Sequence, residues 1–372
     1  NLFPCILIGV LQNSVNSYLK HNFFTLKEKN MKKNILLAIG AVLFLQTLVS
    51  GQITRTVTDL PDISVIGNFQ TKHSESGVDA DVKEMEFSFQ HYLYPSVKAD
   101  VFTALHKNSH GEMTFELEEA YVTFFDFYGI LNPNTKKSLG IGALVGKKLL
   151  PIGKINQQHP EQWIFIDRSV SAKAFLGQEE GLSAEGGQIT SLLPLPFFSQ
   201  VEIGLWTSNP HHHGEEDESS DHESHSETSI DYTNTLLTTR FWNSFSIGSN
   251  QELELGISYL EGNTTAKSSD DKQSLFATDL TYTFEFNGQR KAVISSELFS
   301  GLYGHDGEEK ETQNGGSIGG YFKFNKKHTA GLRYDLLDKH GNEGEATYTW
   351  SVLLSRNLTE TSKFKLQYST NN

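Results

Sequence analysis

From residue 62 onward, apolar and polar side chains alternate along the chain with a period of two. Met85, Phe87, Phe89 and Leu93 alternate with Glu84, Glu86, Ser88 and Gln90, and Met113, Phe115, Leu117 and Tyr121 with Thr114, Glu116, Glu118 and Ala120. The same holds for Leu253, Leu255, Ile257 and Tyr259 against Glu252, Glu254, Gly256 and Ser258. Phe276, Leu280, Tyr282, Phe284 and Phe286 alternate with Ala277, Asp279, Thr281, Thr283 and Glu285. Successive side chains of a strand point to opposite faces, so this pattern predicts strands with one apolar and one polar face. Helical periodicity is almost absent. Fifteen strands are expected, near 62–71, 83–94, 97–107, 113–125, 140–149, 185–192, 199–207, 233–247, 252–261, 275–286, 290–302, 317–325, 328–336, 345–356 and 363–369. Many reach ten residues, beyond the usual five or six of soluble sheets and close to the roughly 9–11 that cross a bilayer at a tilt.

The connections sharpen the picture. Tight links at Tyr94-Pro95-Ser96, 193–198, 248–251, Asn287-Gly288-Gln289, 325–327 and 357–362 largely alternate with longer polar ones at 72–82, 150–184, 208–232, 262–274, 303–316 and 337–344. A short 108–112 and a longer 126–139 break the rule. One short-turned end and one long-looped end is the habit of an up-and-down outer-membrane barrel. Tyr92, Tyr94, Phe124, Phe125, Phe127, Tyr128, Phe197, Phe198, Phe241 and Trp242 fall near strand ends, where such barrels carry aromatic girdles, although a sandwich core also uses Phe and Tyr. The fold class expected is therefore all-β, a transmembrane antiparallel barrel. An even strand number closes a bacterial barrel, so about sixteen strands are expected, with the last lying past Asn372.

The N-terminal part reads differently. Residues 31–52, MKKNILLAIGAVLFLQTLVSGQ, have a basic start at Lys32 and Lys33, an apolar run from Ile35 to Leu45 and small residues at Val49-Ser50-Gly51. That order is a secretory signal peptide. Four regions are expected: an upstream extension 1–30, the signal peptide 31–51, a short periplasmic segment 52–61 and the barrel 62–372. The whole chain carries 31 Lys and Arg against 45 Asp and Glu. Removing 1–51 deletes five Lys and one Glu and leaves 26 against 44, a formal charge of −18. This acidic balance speaks against nucleic acid as a partner. The single cysteine, Cys5, leaves with the extension, so no disulfide framework is expected. No run of about 18 apolar residues is present, which excludes a multi-pass helical membrane protein.

Two groups of residues carry candidate chemistry. Residues 211–227 read HHHGEEDESSDHESHSE, within a His/acid-rich loop at 208–232. His211, His212, His213, His222 and His225, with Glu215, Glu216, Asp217 and Asp221, offer neutral imidazoles and carboxylates suited to zinc or similar divalent ions. Without thiolates or fixed spacing, the expectation is weak, pH-dependent capture rather than a structural zinc, and no cofactor is required. A plain solvated loop is the alternative. On the strands, Glu84, Glu86, Glu116, Glu118, Glu252, Glu254, Asp279 and Glu285 share the polar face and are candidate pore-lining residues. Rings of carboxylates favour cations.

The stretch from Gly146 to Asn156, GKKLLPIGKIN, followed by His159-Pro160-Glu161-Gln162-Trp163 and Phe165-Ile166-Asp167, resembles the loop of zinc-regulated, porin-like outer-membrane proteins. Glu118-Glu119-Ala120-Tyr121-Val122 upstream, and Phe175-Leu176-Gly177 and Gly181-Leu182 downstream, extend the resemblance. It implies a diffusion or uptake barrel expressed under zinc control, related in style to phosphate-selective porins and continuing past this chain's end. The 52–61 segment is too short for a plug domain, so passive passage is expected rather than energised transport. Physically, Gly146, Gly153, Gly177 and Gly181 supply special backbone geometry, and Trp163, Phe165 and Phe175 suggest a packed, inward-folded constriction. His159 is either a zinc ligand or a hydrogen-bonded loop histidine. Asp167 and Arg168 either face each other or line the pore.

The expected function is a porin-like outer-membrane channel of a Gram-negative bacterium, passing small solutes or cations, with an external metal-attracting loop. Outer-membrane lipid and divalent metal ions are the expected partners, and homo-oligomerisation stays open. The alternatives are a phosphate-type anion porin, a non-conducting metal-binding barrel and a soluble zinc scavenger. An outer-membrane enzyme is not expected, because no G-x-S-x-G nucleophile motif appears at a turn and the histidines cluster in loops.

Overall fold

The computed structural model describes residues 61–74, 77–107, 113–135, 138–177, 181–208, 233–263, 272–303, 311–339 and 345–371. The extension 1–30, the signal peptide 31–51 and the histidine and acid residues of 211–227 lie outside the described residues. Fifteen strands run in chain order. They are β1 (Asp62–Ser74), β2 (Gly77–Tyr94), β3 (Val97–Lys107), β4 (Met113–Phe124), β5 (Ile141–Leu149), β6 (Ser183–Leu192), β7 (Phe198–Ser208), β8 (Thr233–Ser246), β9 (Gln251–Asn263), β10 (Lys272–Asn287), β11 (Arg290–Tyr303), β12 (Glu311–Lys323), β13 (His328–Leu337), β14 (Thr347–Asn357) and β15 (Lys363–Asn371). Each pairs antiparallel with its sequence neighbours in one up-and-down sheet, so the sequence reading of a porin-like β-barrel holds in class and in strand order.

The sheet is inverted relative to a soluble protein. Outward positions carry Ile257, Phe276, Ile294, Leu298, Ile318, Leu332 and Leu354, all exposed. Inward positions on the same strands carry buried polar groups: Ser258, Asp279, Thr281, Gln313, Arg333, Asp335 and Ser351. Leaving one such apolar side chain in water forgoes roughly 1.5–3 kcal/mol, so rows of them are stable only against lipid. At the short-turn end the aromatic contacts are frequent. Phe284 meets Phe286 at 4.5 Å, Phe286 meets Phe322 at 5.6 Å and Phe322 meets Phe324 at 4.9 Å. Tyr92 lies 6.2 Å from Phe125 and Phe197 lies 4.6 Å from Phe245.

Two expectations change. The region 72–82 is not a long loop, because β1 and β2 continue in register until Ser74 faces Gly77. The upper hairpin, Thr71–Ser74 against Gly77–Ala80, is exposed on both faces, so it needs no apolar alternation and gives no periodic signal. The 126–139 connection contains a short helix, α1 (Phe127–Leu131), capped by Asp126, whose side chain accepts from Gly129 N.

The long connection after β5 turns inward. It contains 3-10 turns at Ile155–Gln157 and Pro160–Gln162 and a helix, α2 (Val170–Leu176), whose N-cap Ser169 accepts from Ala172 N at 3.1 Å. Leu150, Ile152, Phe175 and Leu176 pack with inward-facing Trp206, Leu236, Leu260, Leu275 and Phe299 into one apolar cluster. Contacts of this single segment with β2, β4, β9, β11, β13 and β15 require the sheet to curl around it.

Candidate functional site

The wall opens where β5 leaves it. Pairing of β4 with β5 covers only Ala120–Phe124 against Ala143–Lys147, so β4 projects past its neighbour from Met113 to Glu119. Lys147 Nζ covers part of the bare edge by donating to Leu117 O at 2.6 Å. The same strand carries a bulge: Phe102 faces Glu119 and Thr103 faces Leu117, which leaves Glu118 as the extra residue. A bulge re-aims its neighbours. Here it turns both Glu118 and Glu119 toward His159 of the inward segment.

His159 is the centre of the cluster. Its Nε2 lies 2.9 Å from Glu119 Oε2, and its Nδ1 lies 3.1 Å from Glu86 Oε2 and 3.6 Å from Glu118 Oε2. Phe102 stacks on the ring at 4.7 Å. Glu119 also accepts from Leu149 N at 2.7 Å, tying the start of the inward segment to the wall. Burial alone would lower the imidazole pKa, but Glu118, Glu119 and Glu86 outweigh it and push it up to about 12. Glu161, in the next turn, is held above the usual carboxylate range by its burial and by the charge of Glu86.

The rest of the segment is fastened side by side. Asn156, fully buried, donates to Leu150 O and Leu182 O, both at 2.9 Å, and accepts from Leu182 N at 2.9 Å and Arg168 Nη2 at 3.0 Å. Gly181, at φ +84°, passes so close that a Cβ would stand 2.7 Å from Asn156 Oδ1. Gly153, at φ +64°, lets Glu297 accept from Ile155 N at 2.9 Å, since a Cβ there would meet that carboxylate at 2.8 Å. Lys154 Nζ reaches Glu254 Oε2 at 2.7 Å.

On the opposite side Arg333 Nη2 donates to Asp167 Oδ1 at 3.0 Å and stacks on Phe165 at 4.6 Å. Gln367 Nε2 donates to the same Asp167 oxygen at 2.7 Å, and Lys365 Nζ donates to Trp163 O at 2.6 Å. Asp167 is half-buried, yet Arg333 and these hydrogen bonds hold its pKa below the usual range. Asp167 and Arg168 therefore look away from each other. Arg168 is buried against Trp163 and Gly177 O, and burial lowers its pKa to about 10.

Beside this segment lies a cavity of about 140 Å³. Glu84, Glu116, Glu118, His159, Trp163, Asp167 and Arg168 all line it, with Lys83, Lys147 and Lys173. Glu86 lies buried behind His159. Asp279 faces inward but is locked to Arg240 at 2.7 and 3.0 Å beneath the segment. Glu252 accepts from Ser244 and sits with exposed Glu285 toward the short-turn end. The sequence reading missed Arg333, Lys365 and Gln367, and quoted Glu119, Asn156 and Glu161 within its motif without giving them a role. Two adjacent glutamates in an alternating strand are the one signal that pointed to a bulge. Among the described residues Glu86, Glu118 and His159 form the group able to offer a metal three ligand atoms, all within 4.8 Å of one another.

No family model matches the chain. A protein of Aquifex aeolicus (strain VF5), described only as uncharacterized, is 25% identical over 370 residues, covering 84% of this chain and 73% of its own. Among solved structures, the outer membrane channel DcaP of Acinetobacter baumannii aligns with a TM-score of 0.54 at 11% identity, covering 85% of this chain and 92% of its own. OmpT, an outer membrane protein of Vibrio cholerae, aligns with a TM-score of 0.51 at 8% identity, covering 87% and 89%. At these identities the likeness concerns the fold, and the chain has the fold of outer-membrane β-barrel channels.

Proposed function

We propose that this protein is a narrow, porin-like outer-membrane channel for small solutes, with cations favoured, and that the histidine and acid residues of 208–232 attract zinc or similar ions to its mouth. The observation that carries the reading is the inward-folded segment after β5, beside which lies a cavity lined by Glu84, Glu116 and Glu118. Acidic groups at a constriction raise the local concentration of cations and lower that of anions. Lys83, Lys147, Lys173 and Arg168 share the lining, so selectivity should be modest rather than absolute. Ser208 at the end of β7 and Thr233 at the start of β8 lie at the same end of the sheet as the inward segment, opposite the short turns, which supports this reading.

A second reading, a closed barrel that conducts nothing, is favoured by one observation. The apolar cluster of Leu150, Ile152, Phe175 and Leu176 with Trp206, Leu236 and Leu260 fills part of the interior where porins keep water.

Planar-bilayer recording of the refolded protein under a KCl gradient decides between them. The channel reading expects small conductance steps with a reversal potential of cation sign. Micromolar Zn²⁺ should change those steps less after deletion of 211–227. Anion-sign reversal overturns the preference for cations, and silence from protein with heat-modifiable gel mobility overturns the channel.

A further inference from the structure

We infer that Glu86, Glu118 and His159 form a divalent transition-metal site inside the barrel, with Glu119 orienting the histidine and the remaining coordination position open to the cavity. This site lies on the wall between β2 and β4, apart from the 211–227 residues, and does not depend on whether the barrel conducts.

Two of the three ligand-atom separations lie near the edge of a small tetrahedral ion, and the third is within 4.8 Å. Zinc–nitrogen and zinc–oxygen bonds of about 2.0–2.2 Å place neighbouring ligand atoms about 3.2–3.6 Å apart. His159 Nδ1 stands 3.1 Å from Glu86 Oε2 and 3.6 Å from Glu118 Oε2, close to that tetrahedral edge. Both oxygens face His159 Nδ1, and Glu86 is only 4% exposed. A buried carboxylate oxygen is costly unless a cation meets it, here the imidazolium or, in place of its Nδ1 proton, a metal ion.

The surroundings are those of a ligand set. Metal-bound histidines characteristically give their second ring N–H to a carboxylate, which fixes the tautomer and ring plane. Glu119 Oε2 stands 2.9 Å from Nε2 for that purpose and is itself held by Leu149 N at 2.7 Å. Phe102 packs the ring face at 4.7 Å. Glu118 and His159 both line the cavity, so water or a passing solute can complete the coordination. One imidazole with two carboxylates suits Zn²⁺, Co²⁺ or Mn²⁺ better than a thiol-seeking ion. Binding replaces a proton on Nδ1, which is released.

The test is a Zn²⁺ titration by calorimetry and a Co²⁺ titration by visible absorption. Both use the refolded full chain and a version in which all five histidines of 211–225 are replaced by asparagine. One ion per chain is expected to persist in the second protein, with the d–d bands of low-coordinate Co²⁺. Glu118→Gln, on the cavity wall, should weaken binding at least tenfold. Glu119→Gln should weaken it by about 10–100-fold while leaving the stoichiometry unchanged. His159→Gln should abolish it in a barrel that retains heat-modifiable mobility. Loss of all binding with the five loop histidines overturns the site. So does binding that survives His159→Gln, or, should that variant not fold, binding unaffected by Glu118→Gln and Glu119→Gln.

Discussion

Asn156 joins three parts of the inward segment at once, accepting and donating where Leu150, Arg168 and Leu182 meet. Its replacement by leucine, close in size, would leave two carbonyls, an N–H and a guanidinium without their partner in a buried place. Unsatisfied buried groups cost about 1–3 kcal/mol each, with partial relaxation, so Asn156→Leu should destabilise the folded barrel by about 2–4 kcal/mol. A lowered urea midpoint, measured in lipid vesicles, checks this; an unchanged midpoint would mean the clasp is dispensable. In the sequence Asn156 is one polar residue in an irregular loop, with no periodic signal. Its importance comes from partners at 150, 168 and 182 that only the folded segment brings together.

At the level of elements, the inward segment is docked on β13 and β15 chiefly through Asp167, which receives Arg333 and Gln367. Docking lowers the Asp167 pKa from its usual 3.8. A depressed carboxylate contributes stability that is present above its undocked pKa and lost as pH falls through the docked one. Amide exchange in residues 163–170, corrected for intrinsic rate, should therefore speed up below about pH 4 and not between pH 5 and 8. In Asp167→Asn the acid step should vanish, with faster exchange already at neutral pH. The outline of this element was legible. The positive φ at Gly146, Gly153, Gly177 and Gly181 agrees with the geometry read from the glycines, and the segment does fold inward. Its docking partners were not, because Arg333 and Gln367 lie more than 160 residues away in sequence.

On the scale of the whole molecule the apolar outward rows and polar inward rows make lipid the only suitable surroundings. Leu298, in mid-strand on β11, is 58% exposed and points outward. Leu298→Arg should cost about 2–4 kcal/mol near the bilayer midplane, read as a lower folded fraction on heat-modifiable gels after refolding into vesicles. A Leu298→Phe control should refold normally. The alternation, the strand count, the strand order and the one-sided distribution of short turns were all readable from the sequence, because a period of two depends only on local backbone geometry. The extension of β1 through Thr71–Ser74 and of β2 through Gly77–Ala80 was not, since strands that stand in water on both faces need no alternation. The sequence thus determined the class of sheet and which residues face inward. Tertiary structure decided which of those inward carboxylates line the cavity, as Glu84 and Glu118 do, and which are spent on other groups, as Asp279 on Arg240 and Glu119 on His159. The reason is physical: facing is a property of one strand, whereas pairing depends on a bulge, an inward turn and strands that meet only when the sheet curls around the segment it encloses.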